Sequence, residues 1–131
     1  MKKLFALALA LVLALGLAAC GAGGEKGALI KSGVLSVGCE VGYPPMEYTT
    51  EDGLTNIGFD IDVGKAIAAL LGLEWELIDT SWEGIFASLD KGEYDCIISA
   101  VSITPDRQQR FILTEPYVAN ALCIVTRADA A

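Results

Sequence analysis

The sequence predicts an α/β domain with an open, mostly parallel sheet and helices on both faces. After an apolar leader, short apolar runs rich in β-branched residues alternate with segments whose apolar residues recur at helical spacing. The order strand, helix, strand, helix, strand predicts parallel strands joined by right-handed crossovers. The 131 residues allow one domain at most, and close to half of those after the leader are apolar, which is ordinary for a globular protein.

The leader occupies residues 1–19. Lys2 and Lys3 precede an uninterrupted small or apolar run at positions 4–19, which is shorter than the roughly 20 residues that a membrane-spanning helix needs. A basic start, an apolar run of this size and small residues at its end are typical of a secretory signal peptide. We therefore assign residues 1–19 to a signal peptide and exclude them from the fold.

Charge and composition exclude several classes of function. Without Lys2 and Lys3 the chain has 7 basic and 17 acidic residues, a formal net charge of −10. This balance argues against binding of nucleic acid through a basic surface. The sequence has no histidine, which excludes a His-based catalytic triad, a His-rich zinc site and a His-ligated haem. We predict no metal and no cofactor.

The first predicted elements are a buried strand and a hairpin. The segment at 34–39 is short, mostly apolar and rich in β-branched side chains, as in a strand covered on both faces. The hairpin has strands at 46–50 and 54–57, joined by a turn at 51–53 that contains Asp-Gly.

A helix and a second strand follow the hairpin. Asp60 is the predicted cap of the helix, and Gly72 is its predicted end. Apolar residues recur along it at helical spacing: Val63, Ala66, Ile67, Leu70 and Leu71. Residues 75–79 form the second strand.

The remaining predicted elements are two helices and two strands. Thr80 and Glu83 have the spacing of a capping box, and the helix that they open ends at Lys91-Gly92. Its apolar face consists of Trp82, Ile85, Phe86 and Leu89. A third strand at 94–100, a short helix at 104–110 and a last strand at 122–126 complete the prediction.

The topology predicts where a ligand would bind. In open parallel sheets, ligands bind beyond the carboxyl ends of the strands. The segments that leave those ends are residues 40–45, 80–82 and 101–107, and we expect all three to converge on one edge of the sheet.

The third segment is suited to an anion. Thr104 is the predicted cap of the short helix, with Pro105 at its first position and Arg107 in its first turn. A helix dipole disfavours a cation there, whereas a carboxylate or phosphate would accept a two-pronged contact from the guanidinium. Ser102 adds a hydroxyl donor. The alternative is that Asp106 or solvent satisfies Arg107, and spacing alone leaves both open.

The other two segments add two rings and an acid. Tyr43 lies on a proline-stiffened loop that also carries Glu40, and Trp82 follows the second strand. Two rings, one acid and one anion site fit a small zwitterion. Core packing is the rival explanation for Trp82, because this residue continues the apolar face of its helix.

Several motifs follow one another along the chain: GVLSVG at 33–38, YPPME at 43–47, GFDID at 58–62, Trp82 with Leu89, and DCIISAVSITPDR at 95–107. Together they resemble the amino-terminal lobe of the polar amino-acid-binding proteins of ABC transporters, a group of bacterial solute-binding proteins called family 3. The resemblance extends over about residues 33–127. It implies the periplasmic-binding-protein type 2 fold, in which two α/β lobes close on an amino acid like a Venus flytrap.

The resemblance also implies a role for each candidate residue. Arg107 and Ser102 would bind the ligand α-carboxylate, Tyr43 and Trp82 would flank its side chain, Glu40 would contact the side-chain end, and the Ala100 carbonyl would hold the α-ammonium. Glu40 stands where the family often has Asp, and Met46 where Phe is common. Because of both differences, the resemblance does not indicate which amino-acid side chain the site prefers.

Residues 17–20, Leu-Ala-Ala-Cys, resemble the lipobox of bacterial lipoproteins. In that family the cysteine receives diacylglycerol and becomes the first residue of the mature protein, and its two or three acyl chains hold the protein stably on a bilayer. We therefore predict a membrane anchor with a palmitate-type chain on Cys20, a tether at 20–32 and an extracytoplasmic location. An ordinary signal peptide followed by a coincidental cysteine is the alternative.

The resemblance implies a second lobe and a return segment, which the 131 residues do not contain. Residues 33–131 would then be a truncated first lobe, a monomer that meets a membrane permease and alone binds amino acids weakly or not at all. The same fold also occurs in enzymes, such as arogenate or prephenate dehydratases and murein-cleaving enzymes. An enzyme of this kind and a sensory binding domain are the alternatives to a transport receptor.

Three cysteines follow the lipobox: Cys39, Cys96 and Cys123. An odd number outside the cytoplasm leaves at least one thiol without a disulfide. Each cysteine lies in an apolar, strand-like run, which predicts three buried side chains that behave as small hydrophobes.

Overall fold

A computed structural model of the chain describes residues 29–121 and 123–129. In chain order the elements are β1 (Val34–Cys39), β2 (Tyr48–Thr49), β3 (Asn56–Ile57), α1 (Phe59–Leu71), β4 (Glu74–Asp79), α2 (Trp82–Lys91), β5 (Cys96–Ile97) and α3 (Pro105–Arg110). The predicted signal peptide, Cys20 and most of the predicted tether lie outside the described residues, so they stay predictions. The chain divides after residue 99 into two units, which are described separately.

The first unit is organised by a three-stranded parallel sheet of order β4-β1-β5. β1 is central and pairs with β4 along its whole length, from Val34 opposite Glu74 to Cys39 opposite Asp79. All six residues of β1 are buried, which explains why apolar residues occur on both of its faces; the one polar side chain, Ser36, donates to Glu76. β2 and β3 form the separate antiparallel hairpin that the sequence predicts, in a shorter form.

The two faces of β1 pack against different helices. On one face, Leu35 and Val37 form a buried cluster with Ala68 of α1. On the other face, Gly38 lies against the ring of the fully buried Tyr94, whose hydroxyl donates to the Ile85 carbonyl of α2. A Cβ on Gly38 would overlap that ring, so only glycine fits here. The predicted class, a parallel sheet with helices on both faces, is confirmed.

Two predicted strands differ from the structure. The strand at 94–100 is reduced to β5, because the Asp95 carboxylate accepts the backbone N–H groups of Ile30 and Ser36 and Ala100 takes a left-handed φ of 45°. The last strand was predicted at 122–126. Leu122 lies outside the described residues, and residues 123–126 form no strand because no neighbouring strand pairs with them in the part of the chain that is described.

The helix ends confirm some predicted signals and correct others. Gly72 and Gly92 end α1 and α2 in the left-handed conformation, as predicted. Asp60 does not cap α1, since the N-cap is Gly58 and Asp60 is buried inside the first turn. The predicted capping box of α2 is also wrong, because its N-cap is Ser81 and no side chain of its own caps it.

The second unit contains α3 among its described residues, 100–121 and 123–129. Thr104 is its N-cap and accepts the backbone N–H of Arg107, and Pro105 occupies the first position, as predicted. No residue of α3 is buried. Within the described parts of the chain, every helix is too short or too polar to traverse a lipid bilayer.

Candidate functional site

Glu40 and Trp82, two of the predicted site residues, are brought together in the first unit. Glu40 directly follows β1, and its Oε1 accepts the backbone N–H of Trp82 at 3.0 Å. Trp82 is the first residue of α2, so a carboxylate 42 residues upstream satisfies an N–H group that the helix itself leaves without an acceptor. The acid therefore caps a helix, a role that spacing along the chain does not reveal.

The Trp82 ring is half-buried and meets Phe86 edge to face, with ring centroids 5.6 Å apart. In the same helix, Ile85 is fully buried. Trp82 thus contributes to the packing of α2 and still keeps part of its surface exposed, so neither the core nor the ligand interpretation accounts for it completely.

Tyr43 lies on the loop that joins β1 to β2, and its side chain is 56% exposed. The loop closes through four backbone hydrogen bonds: the N–H groups of Gly42 and Tyr43 donate to the Glu47 carbonyl, and the N–H groups of Met46 and Glu47 donate to the Tyr43 carbonyl. The Pro44–Pro45 peptide bond within it is cis. Backbone contacts, rather than core packing, therefore define the position of the ring.

Glu47 occupies the centre of a buried polar network that the sequence interpretation did not identify. Its side chain is 1% exposed, and its Oε1 accepts the hydroxyl of the buried Ser99 at 2.8 Å. The Ser99 Oγ in turn accepts the backbone N–H of Glu40 at 3.0 Å. One serine therefore connects the end of β1, the start of β2 and the segment after β5.

Asp60 lies beside Glu47 and is equally buried. The pKa of Glu47 is raised to about 7: burial is the largest cause, the hydrogen bond from Ser99 opposes it, and the adjacent Asp60 and Glu40 carboxyls add to the rise. Near neutral pH, Glu47 therefore holds a proton for much of the time, unlike an exposed glutamate.

Of the two cysteines of the sheet, Cys39 adjoins this network through Ser99 and Glu47. Cys39 is fully buried, and burial raises the pKa of its thiol to about 12. Cys96 is half-buried, and burial raises its pKa to about 11. The prediction of a buried side chain is confirmed for Cys39 and is wrong for Cys123, which is exposed because residues 123–126 do not join a sheet.

Arg107 and Ser102, two further predicted site residues, are brought together in the second unit. Arg107 Nη1 donates to the Ser102 carbonyl at 2.8 Å, so the contact uses the backbone of Ser102 and not its hydroxyl. The predicted alternatives, Asp106 and solvent, stay predictions for the rest of the guanidinium. The guanidinium is held on the segment that precedes its own helix.

Ala100, the last predicted site residue, opens the second unit with a φ of 45°. A side-chain-bearing residue rarely adopts this conformation, and such strain is frequent at functional positions. The predicted convergence of the three segments on one edge stays a prediction, because residues 40–45 and 80–82 belong to one unit and residues 101–107 to the other.

Comparison with known proteins identifies relatives along most of the chain. The sequence profile of the bacterial extracellular solute-binding proteins, family 3, matches residues 35–131. The L-cystine-binding protein TcyA of Bacillus subtilis is 32% identical over 142 aligned positions, which cover 98% of this chain and 52% of that protein. A cyclohexadienyl dehydratase of Pseudomonas aeruginosa is 31% identical, in an alignment that covers 75% of this chain and 36% of that protein.

Solved structures agree with this result. The arginine-bound form of domain 1 from TmArgBP shares 38% sequence identity with a TM-score of 0.63, over 65% of this chain and 67% of that one. The chain spans about half the length of TcyA and about a third of the dehydratase.

Proposed function

The chain belongs to the bacterial extracellular solute-binding proteins, family 3, and we propose that it is the substrate-binding component of an ABC transporter for polar amino acids. Relatives that are named for L-cystine and for arginine support an amino acid as the ligand. The chain would act outside the cytoplasm, where its partner would be the membrane permease of that transporter.

The orientation of Arg107 carries the proposal. Its guanidinium is anchored on the Ser102 carbonyl, and its backbone N–H is anchored on Thr104. A guanidinium is planar and has five N–H donors in a fixed fork, a geometry that matches a carboxylate. The α-carboxylate is present in every free amino acid, so one anchored arginine can recognise the whole class.

The remaining contacts would select among amino acids. Tyr43 and Trp82 would flank the ligand side chain, and the Ala100 carbonyl would accept the α-ammonium. Glu40 would meet the side-chain end. Its Oε1 already accepts the Trp82 N–H, and a carboxylate has a second oxygen that can accept another donor. A ligand with a cationic side chain would suit this acid.

Residues 1–20 would deliver and hold the protein. Cleavage before Cys20 and lipidation of its thiol would anchor the chain on the outer surface of the cytoplasmic membrane. The tether at 20–32 would separate the anchor from the binding lobe. A palmitate-labelling experiment tests this point, since Cys20→Ala removes the acceptor and should abolish the incorporated label.

Binding by the 131-residue chain alone would be weaker than micromolar. Sites that bind small molecules well enclose roughly 70–90% of the ligand surface, and one lobe leaves much of it open. The arginine-bound form of domain 1 from TmArgBP nevertheless indicates that a single domain of this fold can hold its ligand in that protein. Weak but saturable binding is therefore the expected result.

We do not propose an enzyme, although one relative is a dehydratase. General acid–base catalysis requires a titratable group within reach of the substrate. Among the described residues, the acid whose pKa is raised to about 7 is Glu47, and its side chain is too buried to touch a bound molecule.

Calorimetric titration of the 131-residue chain with each standard amino acid and with L-cystine tests the proposal. We expect saturable binding of at least one of them, lost in Arg107→Ala. Arg110→Ala is the matched control, because it removes the same charge from the same helix while its guanidinium stacks on Phe111. Absence of binding at millimolar ligand, or equal losses in both variants, would contradict the proposed function.

A further inference from the structure

The loop at residues 40–47 has one buried side chain at its base, that of Glu47. The backbone of Glu47 closes the loop by accepting the N–H groups of Gly42 and Tyr43 at 3.0 and 2.7 Å. Its side chain reaches the other end of the loop through Ser99, which accepts the N–H of Glu40. Both ends of the segment that carries Glu40 and Tyr43 are therefore linked to Glu47, in addition to the bond from the Val41 N–H to Asp79 Oδ1.

The second oxygen of this carboxyl group has an unusual environment. Glu47 Oε2 is buried and receives no hydrogen bond from the residues that the structure describes. A buried carboxylate anion with a single donor is costly, whereas a protonated carboxyl can itself donate a hydrogen bond. Asp60 lies beside it, and the hydrogen bond between the two side chains raises the pKa of Glu47. A protonated Glu47 carboxyl satisfies this geometry, whereas an ionised one would not.

We propose that Glu47 is a positioning residue for the ligand-binding loop, and that the loop keeps its closed geometry only while the Glu47 carboxyl is protonated. This inference rests on the proposed function for its effect on binding. It concerns a residue that does not touch the ligand and acts through Ser99 and the loop backbone.

The charges around Glu47 determine whether a rise in pH stabilises or destabilises the loop. Asp60 in α1 and Glu40 after β1 are both acidic, and the third titratable neighbour, the Cys39 thiol of β1, stays neutral because burial raises its pKa to about 12. No cation among these neighbours can compensate a second negative charge. Loss of the Glu47 proton as the pH rises therefore places a negative charge in the core beside acidic side chains, and the resulting repulsion acts on the base of the loop.

The test follows the loop directly by NMR across pH, using the 131-residue chain. We expect the amide signals of Glu40 and Tyr43 to shift with a midpoint at about pH 7, together with the side-chain carboxyl carbon of Glu47. In Glu47→Gln, which keeps the acceptor for Ser99 and a donor for Asp60 without titrating, both amide shifts should disappear. Glu51→Gln, an exposed acid in the hairpin turn, should leave the midpoint unchanged.

A second experiment measures how the affinity for L-arginine changes with pH. We expect the affinity of the unsubstituted chain to fall about five-fold or more between about pH 6 and about pH 8, and to change less than about two-fold in Glu47→Gln. If neither L-arginine nor another amino acid binds, the proposed function fails while the NMR result still decides the role of Glu47. Amide shifts that persist in Glu47→Gln, or a Glu47 carboxyl that titrates at its ordinary pKa, would overturn the inference.

Discussion

The two units of the chain hold their candidate site residues in different ways. In the first unit, Glu40 and Trp82 are attached to a sheet and a helix whose core is fully buried at Val37, Ile85 and Tyr94. In the second unit, Arg107 is held by contacts with residues three and five positions upstream, and α3 buries no residue. Substitutions in the first unit should therefore act through the core, and those in the second through local contacts.

The largest expected difference between the units is in thiol reactivity. Cys39 is fully buried with a pKa of about 12, whereas Cys123 is exposed. Because the thiolate is the reacting species, we expect Cys123 to react with iodoacetamide at least about 1000-fold faster at pH 8. Peptide mass spectrometry after timed labelling of the native chain separates the sites.

Denaturant provides the control for this comparison. In concentrated urea the burial of Cys39 is lost, so its labelling rate should approach that of Cys123 within about ten-fold. Comparable rates in the native chain would contradict the buried position of β1 and the contrast between the two units.

The next largest effect concerns stability as a function of pH. The pKa of Glu47 is about 7 in the folded chain and near 4.5 when unfolded, so the folded state binds the extra proton between these values. The free energy of unfolding should be highest toward pH 4.5 and should fall as the pH rises through about 7, by about 3 kcal/mol in total. Urea denaturation at a series of pH values measures it.

Glu47→Gln isolates the contribution of that side chain. The chain has no histidine, so few other side chains titrate in this window. We expect the free energy of unfolding of Glu47→Gln to vary by less than about 1 kcal/mol over the same range. An unchanged slope in the variant would assign the pH dependence to another group.

A smaller effect is expected from Gly38→Ala in β1. The added methyl group would overlap the Tyr94 ring, which cannot withdraw without losing its hydrogen bond to Ile85. Overpacking of this kind typically costs about 2 kcal/mol. Gly42→Ala, where no atom lies near the new methyl group, should change the free energy of unfolding by less than about 0.5 kcal/mol. Equal losses would show that the Gly38–Tyr94 packing is not the cause.

The elements that the sequence predicts well have signals within a few residues. The β1 run, Gly72, Gly92 and the cap at Thr104 each depend on a short local pattern, and each is confirmed. The strand at 94–100 was predicted too long because its end depends on contacts between distant parts of the chain. Asp95 is bound to backbone groups more than 50 residues away, and no local pattern encodes that pairing.

The same limit applies to the candidate site. The association of Ser102 with Arg107 spans five residues and could be anticipated, although the structure uses the carbonyl rather than the hydroxyl. The role of Glu40 as a cap for α2 spans 42 residues, and the bond from Ser99 to Glu47 spans 52. An acid flanked by apolar residues, as Glu47 is by Met46 and Tyr48, was the available signal for a buried carboxyl group.

The smallest expected effect is the loss of a side-chain cap, which differs between the first residues of α3 and of α2. Thr104 accepts the N–H of Arg107, so Thr104→Ala should lower the local stability of α3 by about 1 kcal/mol and speed hydrogen exchange at Gln108 about five-fold. Ser81 stands at the same position of α2 without making a side-chain cap, and Glu40 satisfies the first N–H instead. Ser81→Ala should therefore change exchange in α2 by less than about two-fold. A loss at Ser81 as large as that at Thr104 would mean that the distant carboxylate does not replace the local cap.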